Sequence, residues 1–371
     1  MIRILQMIGS LEIGGSQTFV MNIYRKINRE EIQFDFIIDK DGPSPYKHEI
    51  KKMGGKVYRL PTFKGTNINE ITKSWDEFLC LHPEYKIIHF HVRSYSSILI
   101  PIAKRCGVFT IQHSHSTSDA NLGHSFVKRM LEFPLRFQAN YLMACSDEAG
   151  QWLFGKNVLK KTNYKTIKNA IDGEKFYFNS LVRNEVRKEL NLENECFVLG
   201  NVGRMTPPKN HSYILKIFKE VLNQKKNSRL LLVGDGVLKE KIYNEAKELN
   251  IVDKCLFVGA RTDAYRLYQA MDVFLFPSLW EGLGIVAVEA QASGLPCVAS
   301  TEVPNSADIG AGLFTRLSLD DPIEDWTNAL LKNEKFERKR ENIALEQSGY
   351  EINDVVSFFE RFYKLNYSGE K

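Results

Sequence analysis

The sequence contains no apolar run near the ~20 residues needed to cross a bilayer, which excludes a spanning helix. Its six cysteines (Cys80, Cys106, Cys145, Cys196, Cys255, Cys297) include no closely spaced pair. A disulfide frame and a cysteine-based zinc module are therefore excluded, and the thiols read as reduced, mostly core residues. The segment Met1 to Gly9 is too short and too strand-like for a signal peptide, so a cytoplasmic protein is expected. No strand is followed by Gly-x-Gly-x-x-Gly, which argues against a nicotinamide-dependent oxidoreductase. Helix-turn-helix, RNA-binding and zinc-finger signatures are missing, as are repeats and low-complexity tracts. With a net charge of only +5, no nucleic-acid partner is expected; an anionic substrate or an anionic membrane suits this charge better.

What is present is a chain of 371 residues, 43% hydrophobic and 26% charged, long enough for two ordinary domains. Short β-rich runs alternate with helical stretches throughout, which predicts an α/β protein with parallel sheets covered by helices. Strands are predicted near 2–8, 33–38, 56–60, 86–91, 108–113 and 140–145, then near 196–202, 229–233, 255–258, 272–276 and 296–299. Helices are predicted near 16–28, 67–82, 95–105, 120–138 and 146–154, then near 209–224, 237–249, 262–270, 284–293 and 322–346. Thr166 to Asp172 reads as a last strand running into a polar stretch from Gly173 to Arg183, so the boundary is placed at 1–170 and 171–352. Asn353 to Tyr367 carries apolar residues at 355, 356, 358, 359, 362, 363 and 365, the pattern of an amphipathic helix.

Two groups of residues carry chemistry. In Pro277-Ser278-Leu279-Trp280-Glu281-Gly282-Leu283-Gly284-Ile285, a strand stops at a proline and an apolar helix opens near Gly284. A helix that opens from a glycine loop leaves N–H groups unpaired at the positive end of its dipole, a ready phosphate site. Glu281 lies on the loop, and Glu289 lies about one and a half turns inside an almost wholly apolar helix. A glutamate so placed is expensive unless something pairs with it. The second group is Gly203-Arg204-Met205-Thr206-Pro207-Pro208-Lys209, at the end of another strand. Its two cations suit a diphosphate, arginine through a bidentate fork and lysine as a point charge. Together these residues read as a sugar-nucleotide site: diphosphate on the helix end, one acid for the sugar hydroxyls, the other for the ribose.

Weaker signals accompany them. Gly14-Gly15 permits close backbone approach after the first strand, with Ser16 placed to cap the next helix. Gly234-Asp235-Gly236 and Gly259-Ala260-Arg261 follow strands at what should be the same sheet edge; Asp235 reads as a structural turn residue. His89-x-His91 and His113-x-His115 each put two rings on one face at a strand end. They could hold zinc, although no cysteine or carboxylate shares the pattern. The segment from Gly123 to Phe137 mixes Lys128, Arg129 and Arg136 with large apolar residues, which fits either a core-facing helix or one resting on an anionic membrane.

The glutamates eight apart, with the continuation Ala290-Gln291-Ala292-Ser293-Gly294-Leu295-Pro296-Cys297-Val298, resemble the donor site of retaining glycosyltransferases of family 4, in particular bacterial exopolysaccharide and capsule members. The resemblance implies the GT-B fold: two Rossmann-like domains facing across a cleft, with the terminal helix (353–371) crossing back to the first. It implies that Glu281 meets the transferred sugar and Glu289 the ribose. The N–H groups of Gly282, Leu283, Gly284 and Ile285 would serve sugar and phosphates, and Gly14, Gly15, Gly203, Gly234 and Arg261 would line the donor pocket. Arg204 and Lys209 would stabilise the leaving diphosphate, so that no metal is required; no Asp-x-Asp motif lies near the presumed site. His115 aligns with the family's histidine facing the anomeric carbon, with His113 as the fallback because Ser116 stands where many relatives have an acid. The implied partners are a nucleoside-diphosphate sugar, with uridine by family habit, and a glycan or polyprenyl-linked acceptor; no other cofactor is expected. A sugar-nucleotide 2-epimerase on the same fold, or a sugar-nucleotide-binding protein without catalysis, are the alternatives.

Overall fold

In a computed structural model, residues 1–12, 14–40, 42, 44–93, 95–115, 125–339 and 343–367 are described, with backbone alone at 125–128. The chain divides into two compact units, one of Met1–Ile171 with Glu351–Lys371, the other of Asp172–Tyr350.

The first unit is built on a seven-stranded sheet of order β3-β2-β1-β4-β5-β6-β7. Its strands are β1 (Ile2–Gly9), β2 (Ile32–Ile38), β3 (Val57–Arg59), β4 (Ile87–Phe90), β5 (Phe109–Ser114), β6 (Tyr141–Ala144) and β7 (Tyr164–Thr166). Every pairing is parallel. Its helices are α1 (Gly15–Lys26), α2 (Tyr46–Lys52), α3 (Ile68–Leu81), α4 (Ser96–Arg105), α5 (Ser125–Glu132), α6 (Leu135–Gln138) and α7 (Asp147–Phe154). Because helices cover both faces, the strands read as unbroken apolar runs. Along β1, Ile4 and Ile8 enter one core with Phe34 and Phe36, while Leu5 and Met7 enter the other with Ile37.

The second unit has a six-stranded parallel sheet of order β10-β9-β8-β11-β12-β13. These strands are β8 (Phe197–Val202), β9 (Ser228–Val233), β10 (Cys255–Gly259), β11 (Val273–Phe276), β12 (Cys297–Ser300) and β13 (Phe314–Leu317). The helices are α8 (Gly173–Phe176), α9 (Ser180–Glu189), α10 (His211–Gln224), α11 (Lys239–Glu248), α12 (Ala264–Ala270), α13 (Ile285–Ala292), α14 (Ile323–Leu331) and α15 (Ile343–Gln347). The strand order reverses between β8 and β11, and ligands of open α/β sheets bind outside the carboxyl ends of the strands at such a point.

The last helix, α16 (Ile352–Tyr367), packs on the first unit, against α1, β1 and β4. Val355, Val356, Phe359, Phe362 and Tyr363 join the core there, whereas Leu365 stays exposed.

Several predicted elements differ. The last strand of the first sheet ends at Thr166, where it was expected to begin, and Ile171 keeps a single parallel bridge to Glu351. The polar stretch from Gly173 holds α8 and the start of α9. The long helix predicted over 322–346 is two short ones. Between them Arg338 turns inward and donates to the carbonyls of Tyr268, Gln269, Met271 and Ser293, which anchors the chain in a non-helical path. Ser16 does not cap α1: the helix starts at Gly15 with Gly14 as its cap residue, and the Ser16 hydroxyl bonds Gln17 instead. Within 120–138, residues 120–124 lie outside the described residues; the rest forms α5 and α6, interrupted at Pro134.

Candidate active site

At the carboxyl end of β8, the chain passes Gly203 and Arg204 into a tight 3-10 turn at Pro207–Lys209, and Asn210 then takes a left-handed conformation (φ 55°) before α10. Two bonds tie this turn to the loop after β11: the Leu279 N–H donates to the Pro208 carbonyl at 2.8 Å, and the Asn210 amide donates to the Pro277 carbonyl at 3.1 Å. The stiffness of Pro207-Pro208 therefore serves registration between the two loops. As a result Lys209 Nζ lies 2.6 Å from Glu281 Oε1, with both side chains largely buried. The same oxygen accepts the Ser278 hydroxyl at 2.7 Å, while the Ser278 carbonyl accepts from Ser300. The Lys209 ammonium also stands 5.0 Å above the Phe276 ring. One oxygen of Glu281 thus takes both protein donors.

Helix α13 opens at Gly284, whose φ of 77° is left-handed and whose missing side chain leaves room for Phe276 and Val303. No side chain caps it. Among the described residues, the N–H groups of Gly282, Leu283, Gly284 and Ile285 have no acceptor. Free N–H donors at the positive end of a helix favour an anion. Inside the helix, Glu289 receives the Tyr268 hydroxyl at 2.7 Å. Glu289 keeps some exposed surface, but its carboxyl is crowded by protein, and burial pushes its pKa up to about 7, against a smaller pull downward from Tyr268.

The remaining predicted donor residues divide. Arg204 is exposed, and its guanidinium has no partner among the described residues. Gly203 lies under the stem of Lys209. Gly234 must be glycine: its φ is 142°, and a Cβ there would sit 1.9 Å from the Gly203 carbonyl oxygen, so this turn locks onto the cationic loop. Arg261 is already paired with Asp263 (2.7 Å) and Glu189 (2.9 Å), and no contact joins it to Lys209, Glu281 or Glu289. Asp235 bonds its own turn and Lys239, as expected of a structural residue. Tyr268 carries no local signal, because it reaches Glu289 from another helix, whereas Ser278 stands three residues before Glu281 in the same loop.

In the first unit, Gly15 faces open space where α1 begins. The first unit also holds a cavity of about 290 Å³ lined by Gly9, Ser10, Gln17, Lys40, His91 and Arg93 among others. The histidines of the two strand-end motifs stack on one another, with ring centroids 4.2 Å apart in both the His89–His91 and His113–His115 pairs, and of the four only His91 lines the cavity. His89, His91 and His113 each offer a nitrogen within 4.8 Å of the others, the spacing of a three-ligand metal group. Those rings nevertheless bond one another: His89 Nε2 to His113 Nδ1 at 3.2 Å, and His91 Nδ1 to His115 Nε2 at 2.7 Å. Burial drives the pKa of His89, His91 and His113 well below the usual imidazole value. Burial, followed by the charge of Arg93, takes His115 to about 3. His113 is enclosed within β5, while His115, just past it, is partly exposed. Ser116 and the side chain of Lys128 lie outside the described residues.

Comparison with known proteins shows the family of the chain. The model described as Glycosyltransferase Family 4 matches residues 13–175, and the one described as Glycosyl transferases group 1 matches residues 182–347. The chain is 32% identical to the proposed glycosyltransferase EpsF of Bacillus subtilis over 98% of its length and 97% of that protein's. It is 29% identical to an Escherichia coli UDP-Gal:alpha-D-GlcNAc-diphosphoundecaprenol alpha-1,3-galactosyltransferase, over 86% of the chain and 84% of the relative. Among solved structures, Anabaena HepE in complex with UDP and glucose superposes with a TM-score of 0.78 at 17% identity, covering 98% of this chain and all of that one; this likeness speaks to the fold. Near-complete coverage by a relative above 30% identity, with a family model on each unit, shows that the chain belongs to the family 4 glycosyltransferases of GT-B fold.

Proposed function

We propose that this protein is a retaining hexosyltransferase that takes its sugar from a UDP-sugar and passes it to a glycan or polyprenyl-linked acceptor in cell-surface polysaccharide synthesis. The observation that carries the donor reading is the convergence, at the switch point of the second sheet, of the Lys209–Glu281 pair with the four free N–H groups where the loop after β11 opens into α13. The diphosphate is held by those N–H groups, by Lys209 and by the unpartnered Arg204 fork; these cations do the work a divalent ion does elsewhere. Glu281 keeps one oxygen for the sugar hydroxyls while the other holds Lys209 and Ser278. Glu289, steadied by Tyr268, accepts the ribose hydroxyls. The UDP-Gal named for the E. coli relative and the UDP bound to HepE support uridine, and the diphosphoundecaprenol in the relative's name supports a lipid-linked acceptor.

Retention in two-carboxylate enzymes needs a nucleophile opposite the leaving group. His115 has no carboxylate hydrogen-bonded to it among the described residues, which favours a front-face route in which the departing phosphate assists the incoming hydroxyl. His115 orients the sugar. Among the described residues no helix is long and apolar enough to cross a membrane. We place the enzyme peripherally on an anionic membrane through exposed Met130, Phe133 and Phe137, where Arg136 lies over Phe133 and Lys161 over Phe137. The test of the reaction is NMR of the product formed from UDP-[13C]hexose and a lipid-linked acceptor: a product with the donor's anomeric configuration supports the proposal. Inversion would remove the retaining mechanism, and conversion of the free sugar nucleotide without acceptor would point to an isomerase.

A further inference from the structure

The loop after β11 carries one large side chain that the second unit leaves unused. Of the four tryptophans, Trp75 is buried and stacks with Phe90, and Trp152 lies under the Arg93 guanidinium at 5.0 Å. Trp326 is buried, and its indole N–H donates to the Ser318 carbonyl at 3.1 Å. Trp280 is 39% exposed, and among the described residues its side chain has no hydrogen bond, ring stack or cation contact. Leu279 beside it is exposed as well. A tryptophan usually hides most of its ring area and finds an acceptor for its N–H.

The exposure does not come from slack in the loop. Ser278 is fully buried; its hydroxyl donates to Glu281 at 2.7 Å, and its carbonyl accepts from Ser300 at 2.6 Å. The Leu279 N–H donates to the Pro208 carbonyl, and Lys209 holds the Glu281 carboxylate. The chain on both sides of Trp280 is thus fixed from within the second unit, and the indole stands outward, directly before the acid read as serving sugar hydroxyls. A scattered exposed apolar residue needs no explanation. An anchored aromatic next to a hydroxyl-binding carboxylate has one. A pyranose ring presents C–H groups on its faces and hydroxyls around its rim, so an indole suits the face and a carboxylate the rim. Small-molecule sites commonly combine aromatic surface with a few placed polar groups in this way.

We propose that Trp280 is a sugar-binding residue whose indole stacks on the apolar face of a pyranose ring. Two rings can supply that face, the hexose of the donor and the terminal sugar of the acceptor. The proposal rests on the reading of Glu281 as the acid of the sugar hydroxyls, and it adds a contact to the sugar that the diphosphate does not share.

The experiment follows tryptophan emission of the full chain on adding UDP, then UDP-glucose or UDP-galactose, and separately the methyl glycosides of glucose, galactose and N-acetylglucosamine to the UDP-loaded protein. Emission is expected to move to shorter wavelength with at least one sugar, beyond any change caused by UDP, because Trp280 alone of the four indoles is exposed. A shift with a UDP-sugar assigns the ring to the donor; a shift with a glycoside assigns it to the acceptor. Affinities are then measured by calorimetry for the nucleotides and by ligand-observed NMR for the glycosides. Trp280→Ala should weaken the responding sugar about threefold to tenfold with UDP affinity held, and Trp280→Phe, which keeps a ring, should recover most of it. No emission change with any sugar, or equal affinities of parent and Trp280→Ala for all of them, would overturn the proposal. So would an equal loss for UDP and for the sugars, which marks a side chain that only supports the loop. A parent that binds no UDP would instead remove the donor reading, and the proposal with it.

Discussion

Replacing Glu289 by glutamine should make the second unit more stable and the protein a poorer donor binder, and the size of the first effect follows from the site. The carboxyl, ordinarily near 4.5, is raised to about 7 by burial inside an apolar helix. A displaced proton affinity is worth about 1.4 kcal/mol per tenfold, so holding Glu289 ionised above pH 7 costs the fold about 3 kcal/mol. The sign is that of a raised pKa: the folded chain binds more protons than the unfolded one between 4.5 and 7. The contribution is thus fully present below 4.5 and lost as pH rises through 7. Glutamine mimics the protonated form in shape and still accepts the Tyr268 hydroxyl. Near pH 4.5 variant and parent should melt together. By pH 8 the variant's second unit should melt higher by roughly 6–12 °C, at about 2–4 °C per kcal/mol for a unit of this size. Calorimetry of both proteins between pH 5 and 8.5 reads this directly. A melting difference that does not change with pH would show that Glu289 is not held ionised at a cost to the fold. Donor affinity should fall roughly tenfold to a hundredfold, the worth of a hydrogen bond to a charged acceptor.

The histidine stack predicts the opposite pH behaviour for the first unit. Its folded-state affinities lie well below 6.5, so the unfolded chain binds more protons and stability falls as pH drops below about 6.5. Hydrogen exchange in strands β4 and β5 should accelerate between pH 7 and 5 by more than in the second sheet; equal change in both sheets would contradict this. At the exposed patch, changing Arg129, Arg136 and Lys161 to glutamate should abolish flotation with anionic liposomes and leave donor binding intact; unchanged flotation would remove membrane docking. Phe359→Ala, which empties a fully buried site between α16 and the sheet, should destabilise the first unit by about 3–5 kcal/mol. A denaturation midpoint close to that of the parent would show that α16 is not part of that core.

The parallel sheets and the two glutamates were readable from sequence because each is a local pattern: apolar runs between glycine turns, and acids at fixed offsets around a helix start. The apolar face of α16 was readable for the same reason, apart from Leu365. Strand β13 was missed because four residues with Arg316 among them, paired to β12, carry little apolar signal. The break after α14 was missed because Arg338 looks like a solvated charge until the carbonyls it serves are brought around it. Tyr268 could not be found either, since it lies in no local motif that points to Glu289, whereas Ser278 stands in the loop of Glu281 and a hydroxyl three residues before that acid was a usable signal. Arg261 shows how a local reading omits partners: a cation after a glycine turn gives no sign that Asp263, two residues on, pairs with it.

The most direct test of the account is calorimetric titration of the full chain with UDP and UDP-sugars, without added metal, beside Lys209→Ala and Glu281→Ala. The site predicts saturable binding by the parent. Lys209→Ala should weaken UDP itself, since it removes a diphosphate contact, while Glu281→Ala should weaken UDP-sugar more than UDP, since it removes a sugar contact. Both variants should melt within a few degrees of the parent. Equal affinity of all three proteins for UDP and for every UDP-sugar would contradict the assignment.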